Sequence, residues 1–226
     1  MDADYSVELG ADDPVLEMPW SDPDGQFHYY DLRRQPEALL LVDEAAQYRE
    51  LGEFLTAVNS PASILQSAKC DVWPDAELGE AEQIYGAAMK LVSYVDLLFC
   101  AGEGRFDFPY HESVARRLVE LLGRAPQISS AAEFIIRRCH YREDAEELSA
   151  RPSAQLASGE GAQMAVAEPQ ATASAAIREG FYFTFYLSGY GDDEDDARRR
   201  WGIGMTVVQN ALLQVAAELR RAAESR

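Results

Sequence analysis

The segment "GFYFTFYLSGYGDDEDDARRRWGIG", residues 180–204, carries the strongest signals for the fold. Its first part alternates phenylalanine with tyrosine or threonine, which is the two-residue period of a β-strand. Five consecutive acidic residues come next, then three arginines, and beyond them apolar residues recur every three or four positions toward the end of the chain. The sequence therefore predicts an aromatic strand that leads into a C-terminal helix.

The acidic run at residues 192–196 has two interpretations. Asp192 or Asp193 is suited to cap the helix, because a carboxylate there accepts from backbone N–H groups and the following acids lie at the positive end of the helix dipole. The alternative is a cation site in which Asp192, Asp193 and Asp195 are the candidate ligands. Consecutive carboxylates lack the alternate spacing of a calcium loop. The sequence favours capping, and it predicts neither a metal nor a cofactor.

The glycines of the same segment predict features of the backbone. Gly189 and Gly191 follow the aromatic residues and predict a tight turn that closes the strand. Gly202 and Gly204 fall inside the predicted helix, where each glycine costs on the order of 1 kcal/mol relative to alanine. This pair indicates either close packing of the helix against a neighbouring element or a break after Trp201.

Periodicity and turn residues divide the remaining chain into strands and helices. The predicted elements are, in chain order, a β-hairpin from residues 15–20 and 26–32, a helix over 34–60, a strand over 64–74, a helix over 75–91, a strand over 92–100, a helix over 109–126 and a strand over 131–142. A continued helix is an alternative for residues 92–100.

The order of these elements predicts an α+β fold. The second half has the order βαββα, which is typical of a ferredoxin-like antiparallel sheet with helices packed on one face. Residues 143–178 are rich in alanine, serine, glutamine and glutamate and bury little apolar surface, so we expect a long disordered or mobile loop between two strands. At 226 residues the chain is expected to form a single domain over 1–226.

Charge and composition restrict the classes of partner. The chain has 39 acidic and 20 basic residues, and the formal charge of −19 disfavours nucleic acids and anionic membranes as partners. The N-terminus lacks the pattern of a signal peptide, and no apolar run approaches the roughly 20 residues that span a bilayer, so a cytoplasmic location is expected. Only Lys69 and Lys90 among the basic residues are lysine, and with abundant alanine this bias indicates a bacterial source.

Two single residues are candidates for catalysis. Asp96 lies among apolar neighbours in a predicted strand, and a buried carboxylate there requires a partner, for which Arg137 or Arg138 is placed across the sheet. His111 begins a predicted helix close to Asp107, where it is either part of a helix terminus or a base in a cleft. Both residues have structural interpretations as well.

The aromatic residues give the leading functional hypothesis. Tyr182, Tyr186, Tyr190 and Trp201 are the candidate interface, since one side of the aromatic strand would carry the tyrosines away from the core. No catalytic, nucleotide-binding or zinc motif is present in the sequence. We therefore expect a non-enzymatic interaction or regulatory protein that binds a protein partner or a second copy of itself. The alternative is an enzyme or small-ligand-binding protein with a pocket beside the sheet that uses Asp96 and His111.

Overall fold

The computed structural model of the protein describes residues 1–21, 24, 29–100, 102–142 and 177–225. These residues form an α+β fold with strands, α-helices and three short 3₁₀ helices. The strands are β1 (Asp2–Glu8), β2 (Val15–Met18), β3 (Leu65–Asp75), β4 (Met89–Phe99), β5 (Ser130–Arg142) and β6 (Ile177–Gly191). The α-helices are α1 (Asp43–Gln47), α2 (Arg49–Val58), α3 (Phe108–Leu122) and α4 (Glu194–Glu224), and the 3₁₀ helices are Pro36–Leu41, Glu80–Tyr85 and Glu103–Phe106.

All six strands belong to one mixed sheet. Five of them follow the order β1-β5-β6-β4-β3, and β2 also pairs with β5. The pairs β5–β6, β6–β4 and β4–β3 are antiparallel, whereas β1 and β2 run parallel to β5. The prediction of an antiparallel sheet is therefore wrong for the N-terminal strands. The N-terminal hairpin is not confirmed either, because β2 pairs with β5, a partner more than a hundred residues away that no local pattern indicates.

The three longest helices pack against one face of the sheet, which we call the helix face. Alternation along β6 directs Phe183, Phe185 and Leu187 to this face, where they join a core of aliphatic and aromatic side chains from α2, α3 and α4. Phe54 of α2 packs against Phe185 with 5.7 Å between ring centres. Burial of these apolar side chains is the main force that holds the helices on the sheet.

Two predicted helices differ from the structure. The segment 34–60 is divided into a 3₁₀ helix, α1 and α2, because the backbone is extended at Val42 (φ −94°, ψ 104°) and at Tyr48 (φ −119°, ψ 95°). Within 75–91 only Glu80–Tyr85 is helical, since Gly86 follows in the left-handed region at φ 61° and β4 begins at Met89. The predicted loop, residues 143–178, lies outside the described residues except for 177 and 178, which begin β6.

Helix α4 lies unusually close to β6 and β5. It continues unbroken through Gly202 and Gly204, and a Cβ atom on Gly204 would lie 3.2 Å from both Leu187 Cδ1 and Ser130 Oγ. A Cβ atom on Gly189 would overlap the backbone of Trp201. The glycine pair in the helix therefore marks close packing and not a break. Gly189 lies within β6 and Gly191 is its last residue, so the prediction that glycine closes the strand is confirmed for Gly191 and wrong for Gly189. At both positions the missing side chain leaves room for the helix backbone.

Candidate functional site on the open face of the sheet

Among the residues that the structure describes, no α-helix covers the second face of the sheet, and we call it the open face. A small apolar cluster covers one end of it, formed by Leu16, Met18, Leu98, Cys139, Tyr141 and Tyr182. At the other end, the 3₁₀ helix Glu80–Tyr85 lies against Tyr190, whose ring stacks on Tyr85 with 3.9 Å between centres. The Tyr190 hydroxyl donates to Glu82 Oε1 at 2.8 Å. The middle of the open face lies between these two ends.

A single row of residues crosses the middle of this face through five strands. Asp71 of β3 is opposite Tyr94 of β4, and Tyr94 is opposite Tyr186 of β6. Glu133 of β5 is opposite Tyr186, and Asp4 of β1 is opposite Glu133. Residues directly opposite in neighbouring strands project to the same side of a sheet. We call Asp71, Tyr94, Tyr186, Glu133 and Asp4 the tyrosine–acid row.

Aromatic rings form a continuous strip along this row. Tyr94 lies 6.0 Å from Tyr186 and Trp73 lies 6.4 Å from Tyr94, measured between ring centres. All three side chains are half-buried, whereas Asp71, Glu133 and Asp4 are exposed. Burial, followed by the charges of Asp96 and Asp71, raises the pKa of Tyr94, so its hydroxyl stays protonated at neutral pH. The strip therefore presents aromatic surfaces between carboxylates, and Tyr94 adds no charge to it.

Asp96 lies beside the row on the same face and is almost fully buried, with 5% of its surface exposed. The Thr184 hydroxyl donates to Asp96 Oδ1 at 2.7 Å, and the Arg137 guanidinium donates to the Thr184 oxygen at 3.0 Å. Arg137 also forms an ion pair with Glu8 at 2.7 Å. Burial raises the pKa of Asp96 to about 6, against the opposing effects of the Thr184 hydrogen bond and the charges of Lys69 and Arg137. Thr184 thus links Asp96 to Arg137, one of its two predicted partners.

His111 lies on the opposite side of the sheet from Asp96. Its fully buried ring is surrounded by Phe99, Phe181 and Phe183 in the helix-face core, and Nδ1 lies 2.9 Å from the carbonyl oxygen of Asp107. Burial lowers the pKa of His111, so the ring is neutral. The structure does not bring Asp96 and His111 together, because the sheet separates them.

The acidic run begins helix α4. Asp193 is the capping residue, and its Oδ1 accepts from the backbone N–H of Asp196 at 2.8 Å. Asp196 pairs with Arg199 and, at 2.7 Å, with Arg200. The predicted capping is confirmed. Asp192 and Asp195, the other candidate cation ligands, belong to the same helix terminus, and the part of the chain that the structure describes contains no group of three metal-ligating side chains.

The four predicted interface residues have different environments. Tyr186 is half-buried in the tyrosine–acid row, whereas Tyr182 and Tyr190 are each 3% exposed. Trp201 lies in the helix-face core with no exposed surface, and its indole N–H donates to the Ser93 hydroxyl at 2.9 Å. Sequence reasoning missed Trp73 and Tyr94, because their position beside Tyr186 depends on pairing between strands and not on a local pattern.

None of the described helices is both long enough and apolar enough to cross a membrane. No protein-family model matches the chain, and comparisons with curated proteins and with solved structures find no significant match.

Proposed function

We propose that this protein is a non-enzymatic interaction module whose open face binds a basic, arginine-rich segment of a protein partner. The observation that carries the proposal is the tyrosine–acid row, in which two tyrosines lie in register between three exposed carboxylates. An arginine side chain matches this combination, since its guanidinium stacks on aromatic rings and binds carboxylates through paired hydrogen bonds.

Charge complementarity supports a basic partner. A shallow depression of about 340 Å³ adjoins Tyr186, and four carboxylates line it, those of Asp2, Asp4, Glu82 and Glu133. Two cations of this face are already paired, Arg137 with Glu8 and Lys90 with Glu82. The formal charge of −19 extends this negative field over the whole molecule and would steer a basic segment toward it.

The alternative of an enzyme that uses Asp96 and His111 together finds no support in the geometry. One group lies on the open face beside Thr184 and the other is enclosed by phenylalanine rings on the helix face. A substrate bound at either group cannot reach the other through the sheet. We therefore propose no reaction for this pair.

We also propose a ferredoxin-like arrangement of the second half of the chain and a bacterial, cytoplasmic setting. The position of β6 between β4 and β5 supports a ferredoxin-like arrangement for β4, α3, β5, β6 and α4, because that fold inserts a strand between the two strands of a β-α-β unit. Three cysteines without a disulfide support a reducing, cytoplasmic setting, and the excess of arginine over lysine supports a bacterial one.

Fluorescence anisotropy with a labelled arginine-rich peptide tests the proposal. We expect the wild-type protein to bind this peptide and not to bind a glutamate-rich peptide of the same length. Tyr186→Ala should weaken binding about fivefold, because the loss of stacking on a guanidinium costs on the order of 1 kcal/mol. The double variant Asp4→Asn with Glu133→Gln should weaken it to a similar degree and reduce its dependence on salt.

A matched control removes the same charge from other surfaces. Glu37 and Glu224 are exposed, and neither lies on the open face. The double variant Glu37→Gln with Glu224→Gln should keep wild-type affinity. If this control loses as much affinity as Asp4→Asn with Glu133→Gln, the peptide responds to net charge alone and the proposed face is wrong. Circular dichroism of each variant shows that the fold is retained.

A further inference from the structure

A cavity of about 230 Å³ lies at the outer edge of β3, and none of the residues of the tyrosine–acid row lines it. Its lining includes Trp20, Tyr30, Leu41 and the start of α1. Its floor is the segment of β3 from Ser67 to Cys70. This cavity is independent of the surface assigned above to a basic partner.

An irregularity in β3 shapes the floor of the cavity. Ser67 pairs with Leu97 and Cys70 pairs with Val95. Two residues of β3, Ala68 and Lys69, are therefore opposite a single residue of β4, Asp96. Such a bulge turns a side chain out of the regular alternation of a strand. Trp20 fixes this arrangement, since its indole N–H donates to the carbonyl oxygen of Ala68 at 2.9 Å and its ring lies 4.8 Å from the Lys69 ammonium.

Lys69 differs from the other lysine of the chain. Lys90 lies 2.9 Å from Glu82 and 3.5 Å from Asp75. The Lys69 ammonium has no carboxylate of the described residues within ion-pair distance, and it lies over the face of Trp20, although its charge acts on the buried Asp96. An ammonium that lines a half-enclosed cavity and forms no close ion pair is a suitable site for a ligand anion.

The lining of the cavity also includes two carboxylates. Asp43 and Glu44 lie in the first turn of α1 and line the cavity, and neither pairs with an arginine or lysine in the described part of the chain. Apolar side chains, among them Leu32 and Leu55, also line the cavity. The cavity therefore presents a cation, two carboxylates and an apolar wall to the same small volume.

We infer that this cavity binds a small zwitterion with an apolar body, of the class of the apolar α-amino acids. The ligand carboxylate pairs with Lys69, the ligand ammonium pairs with Asp43 or Glu44, and the apolar side chain packs between Trp20 and Leu55. A volume of about 230 Å³ admits one such molecule.

The edge of β3 is closed to an added peptide strand at this position. The backbone N–H of Ser67 donates to Asn59 Oδ1 at 3.1 Å, and that of Leu65 donates to the Ser63 hydroxyl at 3.0 Å. Trp20 occupies the carbonyl oxygen of Ala68. A peptide strand needs free N–H and C=O groups along the edge. The capped edge therefore favours a small molecule.

Isothermal titration calorimetry with L-leucine tests this inference. We expect wild-type protein to bind L-leucine at one site, and to bind 4-methylpentanoate and isoamylamine at least about tenfold more weakly, because each lacks one of the two charged groups. Equal binding of either analogue would overturn the zwitterion assignment. Absence of heat with L-leucine, L-phenylalanine and L-methionine would overturn the site.

Variants separate the cavity from other surfaces. Lys69→Met and Glu44→Gln should each reduce the affinity for L-leucine about tenfold. Arg221→Met removes an exposed cation at the far end of α4 and should leave the affinity unchanged. If Lys69→Met and Glu44→Gln both retain wild-type affinity, the amino acid binds elsewhere and the inference is wrong. The arginine-rich peptide should bind Lys69→Met as it binds wild type, so that the two sites are tested separately.

Discussion

At the scale of single residues, Asp96 shows how burial makes a carboxylate sensitive to pH. Its pKa is raised from 3.8 to about 6 because the side chain is removed from water. Between these values the folded protein holds a proton that the unfolded chain has lost, so stability falls as pH rises through this window. Above pH 6 the buried charge of Asp96 lowers the free energy of unfolding by about 3 kcal/mol, which corresponds to its pKa shift of about two units.

Asp96→Asn should remove this penalty. The amide keeps an oxygen that accepts from the Thr184 hydroxyl, and it carries no charge. We expect the free energy of unfolding, measured in urea, to be about 1–3 kcal/mol higher than that of wild type at pH 7.5. We also expect it to fall much less than that of wild type between pH 4 and pH 6. Asp12→Asn, at an exposed acid, should leave the pH profile unchanged. A lower stability of Asp96→Asn than of wild type at pH 7.5 would contradict this account.

The sequence indicated that Asp96 needs a partner, but it did not indicate the hydrogen bonds that connect Asp96 to that partner. A carboxylate within an apolar strand predicts a cation across the sheet, and Arg137 is present. The hydroxyl that joins them belongs to Thr184, on β6 between the two strands, and only the strand order places it there. Trp201 was predicted as an interface residue but is fully buried in the core. The sequence alone does not separate these environments, because an aromatic residue in an amphipathic helix is suited to either.

At the scale of elements, the contact between α4 and β6 depends on glycine. Gly189 and Gly191 leave no side chain between the strand and the first turns of α4, and at each of them a Cβ atom would overlap the helix backbone. Gly202 is different, since its Cβ atom would meet the flexible side chain of Glu50 at 3.0 Å. These glycines therefore have different roles despite their similar appearance in the sequence.

This difference predicts opposite effects of alanine at two positions. Gly189→Ala should lower the free energy of unfolding by about 3 kcal/mol or more, since neither backbone can move without disturbing the core. Gly202→Ala should leave it unchanged or raise it by up to about 1 kcal/mol, because alanine favours helix and Glu50 can shift. Urea denaturation of both variants measures the effect. Equal destabilisation by the two substitutions would show that α4 does not lie against β6 as described.

Local patterns predicted some elements better than others. β6, α3 and α4 follow from strong alternation or from amphipathic periodicity with capping residues such as Asp107 and Asp193. The helix predicted over 75–91 failed because Gly86 adopts a positive φ and the apolar residues after it pair with β6. Propensity there is overridden by long-range pairing, which a single sequence does not show.

At the scale of the whole molecule, strand order creates the candidate site. The members of the tyrosine–acid row come from five strands that are spread over most of the chain. Only Tyr186 could be predicted from alternation, because the row depends on β1 pairing parallel with β5 and on β6 lying between β5 and β4. The net charge, which the sequence shows directly, predicts the sign of the partner but not the surface that it contacts.

Mapping the surface that a basic segment contacts is the decisive test of binding at the open face. Backbone amide signals of isotopically labelled protein can be followed by nuclear magnetic resonance while the arginine-rich peptide is added. We predict that the largest shifts occur in β4, β5 and β6 around Tyr94, Glu133 and Tyr186, and that they reverse at high salt. Shifts confined to the exposed side of α4, or spread evenly over the acidic surface, would contradict a binding site on the open face.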